Sequence, residues 1–471
     1  MMSGIRTGPV LNFDVLLHIV SLAEMDTQSR VMKTCKALYR NGARELLRGE
    51  DVCIYTDKRL LSFLLFMHAD PAVRIPCLHG LVLKIRTETA KEAGDSLVDL
   101  FLRLAECEHP AFRYLCLQSS KDLFLANHQL ARAVARLHTV TSVIMESAGI
   151  QAAAVLQLLG RCSPLTRASI NFCEDLLSSP SVTAEQLDPL HLLRYCRDTL
   201  TELSIEHWFL ATRKFCVYPR LTTLTLSGDW TPATPKLRRA FPNLSELTVY
   251  GYANIPERRY ASQRESNRND QLVHGTWAAP MRSFWGGLYD LYVLAPISRI
   301  EYITLDYDTN YQNTNARWLR AILMDARPAH LELRAELHSG LTLLSDDWMN
   351  ALTEQRNPQL QILQIELQVL GGDDSADLGQ ALDNLYAAVV CLKLAGFRLR
   401  INAWERARDD EHLEECIKNF DVGEYAHRIK ESTPSMQLVS ITLDADREEP
   451  YKKVRVGSSE KDLFVGGDHT D

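Results

Sequence analysis

Few residues in this chain stand in spacings that support catalysis, and the nearest candidate is a pair of aspartates. The segment Ile303-Thr304-Leu305-Asp306 alternates apolar and polar residues, and Asp308 follows Asp306 two places on. Two carboxylates so placed could take a phosphoryl group and move a proton beside a bound Mg²⁺. A second acidic run, Asp409 to Glu415, leads into Cys416 and holds potential metal ligands, although its spacing suits the solvated face of a helix. His128 and His138 have no third ligand nearby in sequence, and His207 with Trp208 follows an extended segment and packs at its turn. No Walker loop, GxGxxG, HExxH or GxSxG occurs. The 11 cysteines, scattered from Cys35 to Cys416, form neither a CxxC pair nor a zinc-finger spacing. An odd, scattered set reads as reduced thiols of a cytoplasmic or nuclear protein. The expectation is a chain with no catalytic residue, no metal and no cofactor.

With chemistry set aside, the chain's bulk properties bound its partners. A net charge of -8 lacks the basic footprint of nucleic-acid binding. The first apolar stretch is broken by Asn12, Asp14 and His18, a poor signal peptide. The run Leu60 to Met67 is too short to cross a bilayer. Neither a nucleic-acid partner nor a membrane is expected. At 471 residues the chain has room for three ordinary domains or one long repeat array.

The array is the better reading. An apolar residue, two free positions, an apolar residue, one free position and an apolar residue recur along the chain. The pattern runs through Leu78, Leu81 and Leu83; Phe112, Leu115 and Leu117; Val140, Val143 and Met145; and Leu165, Ala168 and Ile170. It continues through Leu200, Leu203 and Ile205; Leu221, Leu224 and Leu226; Leu244, Leu247 and Val249; and Ile300, Ile303 and Leu305. It ends with Leu360, Leu363 and Ile365, then Leu438, Ile441 and Leu443, with weaker copies at Leu331 and Leu333 and at Leu394, Phe397 and Leu399. Alternate apolar positions put side chains on one face of a strand, and the earlier residue anchors the incoming turn. Prolines precede several copies, as in Phe241-Pro242-Asn243-Leu244, and favour an extended approach. Amphipathic stretches between them, such as Ala152 to Leu159 and Leu382 to Leu394, read as helices. Strand and helix alternating at steps of roughly 20 to 40 residues make a parallel α/β solenoid, whose units must stack to bury their apolar faces.

This spacing resembles leucine-rich repeats. The Asn or Cys expected after the last leucine is mostly missing, Cys173 being the good match, so the resemblance implies an irregular solenoid with a parallel sheet on its concave face and helices outside. The array is expected over 51–445. A polar loop is expected at 256–270, and a repeat helix at Met281 to Leu294. A disordered or weakly docked tail is expected over 446–471.

Residues 10–50 do not follow the repeat. Val15, Leu16, Ile19, Val20 and Leu22 form one helical stripe, with Asn12 as its N-cap. Asp26 is placed to cap a second helix carrying Val31 and Met32, and a third runs through Leu38, Tyr39, Leu46 and Leu47. Residues 1–9 are read as a flexible N-terminus. The segment LNFDVLLHIVSL followed by VMKTCKALYRNG resembles an F-box. Leu11, Asp14, Val15, Leu16 and Ile19 match its Leu-Pro-x-Glu-Ile-Leu opening, with Asn12 in place of Pro, and Thr34 to Leu38 match its later Val-Cys-Lys stretch. The order of the two motifs is that of divergent fungal F-box proteins carrying leucine-rich repeats. That resemblance implies a non-catalytic adaptor of an SCF-type cullin ubiquitin ligase. Leu11, Asp14, Val15, Leu16, Ile19, Val20, Val31, Cys35 and Leu38 would dock the Skp-type adaptor, and the repeats would capture a protein substrate. The alternative is a repeat scaffold with no ubiquitin role, whose N-terminal helices are only a cap.

The substrate would meet the free positions of the strands. These include Glu202, Glu206, Glu246, Tyr250, Tyr302, Asp306, Glu332, Arg334, Glu366, Arg398 and Arg400. The middle of this set is mainly acidic, which suits a basic partner segment. The Asp306–Asp308 pair falls in the middle of the repeat register. Asn310 also stands where the phosphotransferase pattern needs Thr or Val.

Overall fold

The structure is a computed structural model that describes residues 12–49, 51–85, 91–177, 182–183, 186–206, 216–228, 233–251, 257–307, 316–336, 344–354, 359–369, 378–403, 411–444 and 452–457. The chain forms two compact units, Met1–Leu221 and Thr222–Asp471. Both are α/β, and within each unit mostly parallel strands follow one another in the order of the sequence, as in a solenoid.

The first unit opens with four short helices: α1 (Phe13–Leu22), α2 (Met25–Met32), α3 (Lys36–Asn41) and α4 (Ala43–Gly49). Asn12 caps α1, its side chain accepting from the Asp14 amide. The expected third helix is two, parted at Gly42. A Cβ at Gly42 would stand 2.8 Å from the Leu38 carbonyl oxygen and 2.9 Å from Met32, a close approach of backbone and side chain that only glycine permits. Asp26 lies inside α2, whose N-cap is Glu24. Cys35 is the N-cap of α3, its sulfur accepting from the Leu38 amide. Val20, Met32, Leu38, Ala43 and Leu47 are buried and form the core of this bundle. Buried Gln28 closes the end of α1 by donating to the Ala23 carbonyl at 2.7 Å.

Six strands follow: β1 (Val52–Ile54), β2 (Gly80–Lys84), β3 (Tyr114–Gln118), β4 (Ser142–Ala148), β5 (Arg167–Phe172) and β6 (Glu202–Glu206). Each pairs in parallel with the next. The apolar triads read from the sequence are their buried faces: Leu78, Leu81 and Leu83 are fully buried, and so are Val140, Val143 and Met145. The helix Gly94–Glu106 turns Leu97, Leu100, Phe101 and Leu104 inward. Each such side chain stabilises the fold by roughly 1.5–3 kcal/mol. Strand β1 precedes the first repeat recognised in the sequence, because three residues are too few to show alternation.

The helical module packs on the helices Asp57–Ala69 and Pro71–Arg74 around a buried cation. Arg74, in the short helix Pro71–Arg74, lies with its guanidinium 3.9 Å from the centre of the Phe66 ring and 4.8 Å from that of Tyr39 in α3. It donates to the Phe66 carbonyl, and the two rings meet edge to face at 5.9 Å. The His79 amide also donates to the Leu47 carbonyl at the end of α4.

The second unit carries β7 (Thr223–Gly228), β8 (Glu246–Gly251), β9 (Ser283–Gly287), β10 (Tyr302–Tyr307) and β11 (His330–Glu336). It continues with β12 (Ile362–Val369), β13 (Gly396–Ala403), β14 (Leu438–Asp444) and β15 (Lys452–Gly457). Strands β7 to β14 pair in parallel, and β15 closes this edge antiparallel to β14.

Three expectations are corrected here. The expected helix over Met281 to Leu294 is a strand, β9, followed by the helix Leu288–Leu294. Met281 and Phe284 are its buried anchors, and Gly286, with φ +157, takes the third apolar position. The expected polar loop is the helix Glu257–His274. Polar contacts dock it where leucines would normally do so. Asn267 is fully buried, accepting from the Thr234 amide at 3.2 Å and donating to the Val293 carbonyl at 2.8 Å. Gln271 donates to the Ala295 carbonyl at 2.9 Å, and Arg264 and Arg268 both pair with Asp325 of the helix Ala316–Ala326. Within the expected tail, Lys-Lys-Val-Arg-Val forms β15, where alternation and pairing to β14 supply order.

Candidate functional site

Two surfaces carry the residues singled out in the sequence. The first is α1. Val15 is 44% exposed, Ile19 47% and Leu22 75%. Spaced by four and three residues, they form one apolar stripe on the side of α1 that faces away from the bundle core. Asp14 is exposed beside them, and Leu16 and Val31 are half-buried. Val20 and Leu38 belong to the bundle core, so neither is presented to a partner. Cys35 is exposed but serves as the cap of α3. Leu11 lies outside the described residues. Leu22, the most exposed of the stripe, was not among the expected docking residues. Its place on the stripe was the available signal.

The second surface is the polar strand face. In the first unit Glu202 pairs with Arg167 at 2.9 Å across β5 and β6, and Glu206 stands opposite Asn171. In the second unit the parallel register aligns Asp306, Arg334, Glu366 and Arg400 in one row across β10 to β13. The row beside it holds Thr304, Glu332, Gln364 and Arg398. Arg334 Nε lies 2.8 Å from Glu332 and 3.8 Å from Glu366. Arg400 reaches Glu366 at 3.8 Å, and Asn402 donates to the same carboxylate at 2.9 Å. Thr304 donates to Glu332 at 3.2 Å, and Arg398 to Gln364 at 3.4 Å. Within this ladder Glu332 and Glu366 are thus paired with Arg334 and Arg400 of the same sheet face.

Aromatic residues border this ladder. Trp285 Nε1 donates to Asp306 at 2.7 Å, the Arg334 guanidinium lies 4.9 Å from the centre of the Trp285 ring, and Tyr250 meets Trp285 edge to face at 6.0 Å. Tyr302 lies 4.4 Å from the ring of His330. Glu246 accepts from Thr223 at 3.4 Å. Burial raises the carboxyl of Asp306 above its usual range, against the pull of Trp285 and Arg334. Burial likewise lowers His330. Asp306 is thus held as a link in a polar ladder, and Asp308 lies outside the described residues, as do His207 and Trp208. Sequence reasoning missed Trp285, because its segment was read as helix. It also missed Lys453 and Arg455, which stand opposite Thr442 and Ser440 on this face, because their strand was read as tail.

Among the described residues, no group of three or more His, Cys, Asp or Glu is arranged to hold a metal ion. No single described helix is long and apolar enough to cross a membrane. No family model matches the chain, and no curated protein matches it.

Proposed function

We propose that this protein is the substrate-recognition adaptor of an SCF-type cullin ubiquitin ligase, with no catalytic residues of its own. The observation that carries the proposal is the apolar stripe Val15, Ile19 and Leu22, left exposed on α1 of a small helical module. Isolated exposed hydrophobics are common, but three on one helix face mark a contact surface. The F-box resemblance names the contact as the Skp-type adaptor. The polar strand face of the second unit, with Tyr250 and Trp285 beside a charged ladder, is the surface proposed for a protein substrate. Aromatic and arginine side chains are the types enriched where proteins bind each other.

The test is a titration of the purified chain with the Skp-type adaptor. Ile19→Ala with Leu22→Ala is expected to weaken binding by about tenfold or more, since each removes about 1–2 kcal/mol of buried contact. Both positions are exposed, so the melting temperature should hold. Absence of binding by the folded wild type would contradict the reading.

A second reading has its own observation. The seam of Tyr39, Phe66 and Arg74 ties the helical module to the first helices after it, as a cap on a repeat scaffold requires. Under that reading the double substitution leaves every interaction of the chain unchanged.

A further inference from the structure

The helix Ile150–Cys162 and the turn Arg194–Cys196 bring two arginines together, with no carboxylate bonded to either among the described residues. Arg161 Nη2 donates to the Tyr195 hydroxyl oxygen at 2.6 Å, and Arg194 Nη2 donates to the same oxygen at 3.1 Å. Both guanidinium groups lie against the Tyr195 ring, 4.4 and 4.6 Å from its centre. The other partners of Arg194 are neutral. Gln157, its amide oxygen turned toward the guanidinium as the hydrogen bonding requires, accepts from Nη1 and Nη2 at 2.7 and 2.8 Å. His191 accepts through its carbonyl oxygen at 3.1 Å and through ring Nε2. The nearby arginines are different: Arg167 has Glu202, and Arg197 has Asp198.

Two like charges converging on one phenol oxygen repel unless an anion joins them. The Tyr195 oxygen receives both bonds, and among the described residues its own proton meets no acceptor. Tyr195 is 45% exposed, so the cluster opens to solvent. Its phenol is held below the usual range by Arg194 first and then Arg161, the sign of positive potential at this oxygen. Arg161, bonded through Nη2 alone among the described residues, and the Tyr195 hydroxyl offer donors to a tetrahedral, doubly charged anion, and Arg194, whose Nη1 and Nη2 are engaged by Gln157, His191 and Tyr195, adds its charge.

We infer that Arg161, Arg194 and Tyr195 form a binding site for a phosphate group. It is carried on helical segments rather than on the strand face, and it stands independently of the adaptor reading. The phosphate group is free inorganic phosphate, part of a nucleotide or borne by a phosphorylated side chain, and the experiment separates these sources.

The full chain is titrated calorimetrically with inorganic phosphate, with adenosine monophosphate and with a short phosphoserine peptide. At least one probe is expected to saturate a single site. Arg161→Gln and Arg194→Gln should each weaken that binding by about tenfold or more. Arg161 is exposed, with Tyr195 its one side-chain hydrogen-bond partner among the described residues, so Arg161→Gln should leave the melting temperature unchanged and keeps the test clear of unfolding. The bound anion should also move the Tyr195 phenol titration to higher pH, read as the ultraviolet difference between wild type and Tyr195→Phe. Tightest binding by the peptide assigns a phosphorylated side chain, tightest binding by the nucleotide assigns a nucleotide, and tightest binding by inorganic phosphate assigns the free anion. No binding by any probe, or binding that survives Arg161→Gln undiminished, would overturn the site.

Discussion

Asp290 shows most plainly what burial does to a single residue here. It lies in the first turn of the helix Leu288–Leu294 with no exposed surface, between Gly251 and Gly287. Burial pushes its pKa up to about 8. The Tyr289 hydroxyl and the amides of Gly251 and Gly287 act the other way, too weakly to prevent it. The folded value therefore lies above the unfolded one, which is near 4. The folded chain holds the proton that the unfolded chain gives up, so this residue's contribution is fully present below about pH 4 and is lost as pH rises toward 8. Asp290→Asn keeps the shape and cannot ionise. Its melting temperature should gain steadily on the wild type between pH 5 and pH 8, and parallel curves would contradict the assignment. Arg74 is the matching case for a cation. It is 2% exposed, has no carboxylate partner among the described residues and leaves Nε without a hydrogen bond. Arg74→Ala should cost about 3 kcal/mol in lost packing and cation–π contact. Arg74→Met, which fills the space without a charge to desolvate, should cost clearly less in urea denaturation.

The helix Glu257–His274 is where polar residues replace the usual apolar stripe as the means of docking. Asn267→Ala would leave the Thr234 amide and the Val293 carbonyl buried without their partner, at about 2–3 kcal/mol. Hydrogen exchange should then quicken across 257–274 and leave β12 and β13 as slow as before. Equal exchange in both chains would show that the helix is held by other means. This helix also marks the limit of what the sequence discloses. Strands were legible where two leucines alternate and a third anchors the turn, as at Leu221, Leu224 and Leu226, because burial on one face imposes that period. Arg264, Asn267, Arg268 and Gln271 gave no such signal, since their partners Asp325, Val293 and Ala295 are distant in sequence. The strand β9 was hidden because Gly286 stands where a leucine belongs, and β15 because its order comes from pairing to β14. On the strand face the residues were legible and their charge balance was not. Arg334 neutralises Glu332 and Glu366 only once the register aligns three strands.

At the scale of the molecule, the proposal divides the work by surface: the apolar stripe of α1 for the adaptor, and the polar strand face of the second unit for a substrate. The substrate face is rich in side-chain hydrogen bonds that the fold already closes, so a partner there exchanges contacts rather than filling vacant ones. Side chains at its rim, such as Tyr250, are expected to contribute more than members of the ladder, whose removal strands a partner inside the chain. The adaptor surface makes the sharper claim, because three named residues carry it. The direct test is hydrogen exchange of the full chain with and without the Skp-type adaptor. The account predicts slowed exchange over 13–22, with the strands of the second unit unchanged. Unaltered exchange over 13–22 at saturating adaptor would contradict it and leave the helical module as a cap.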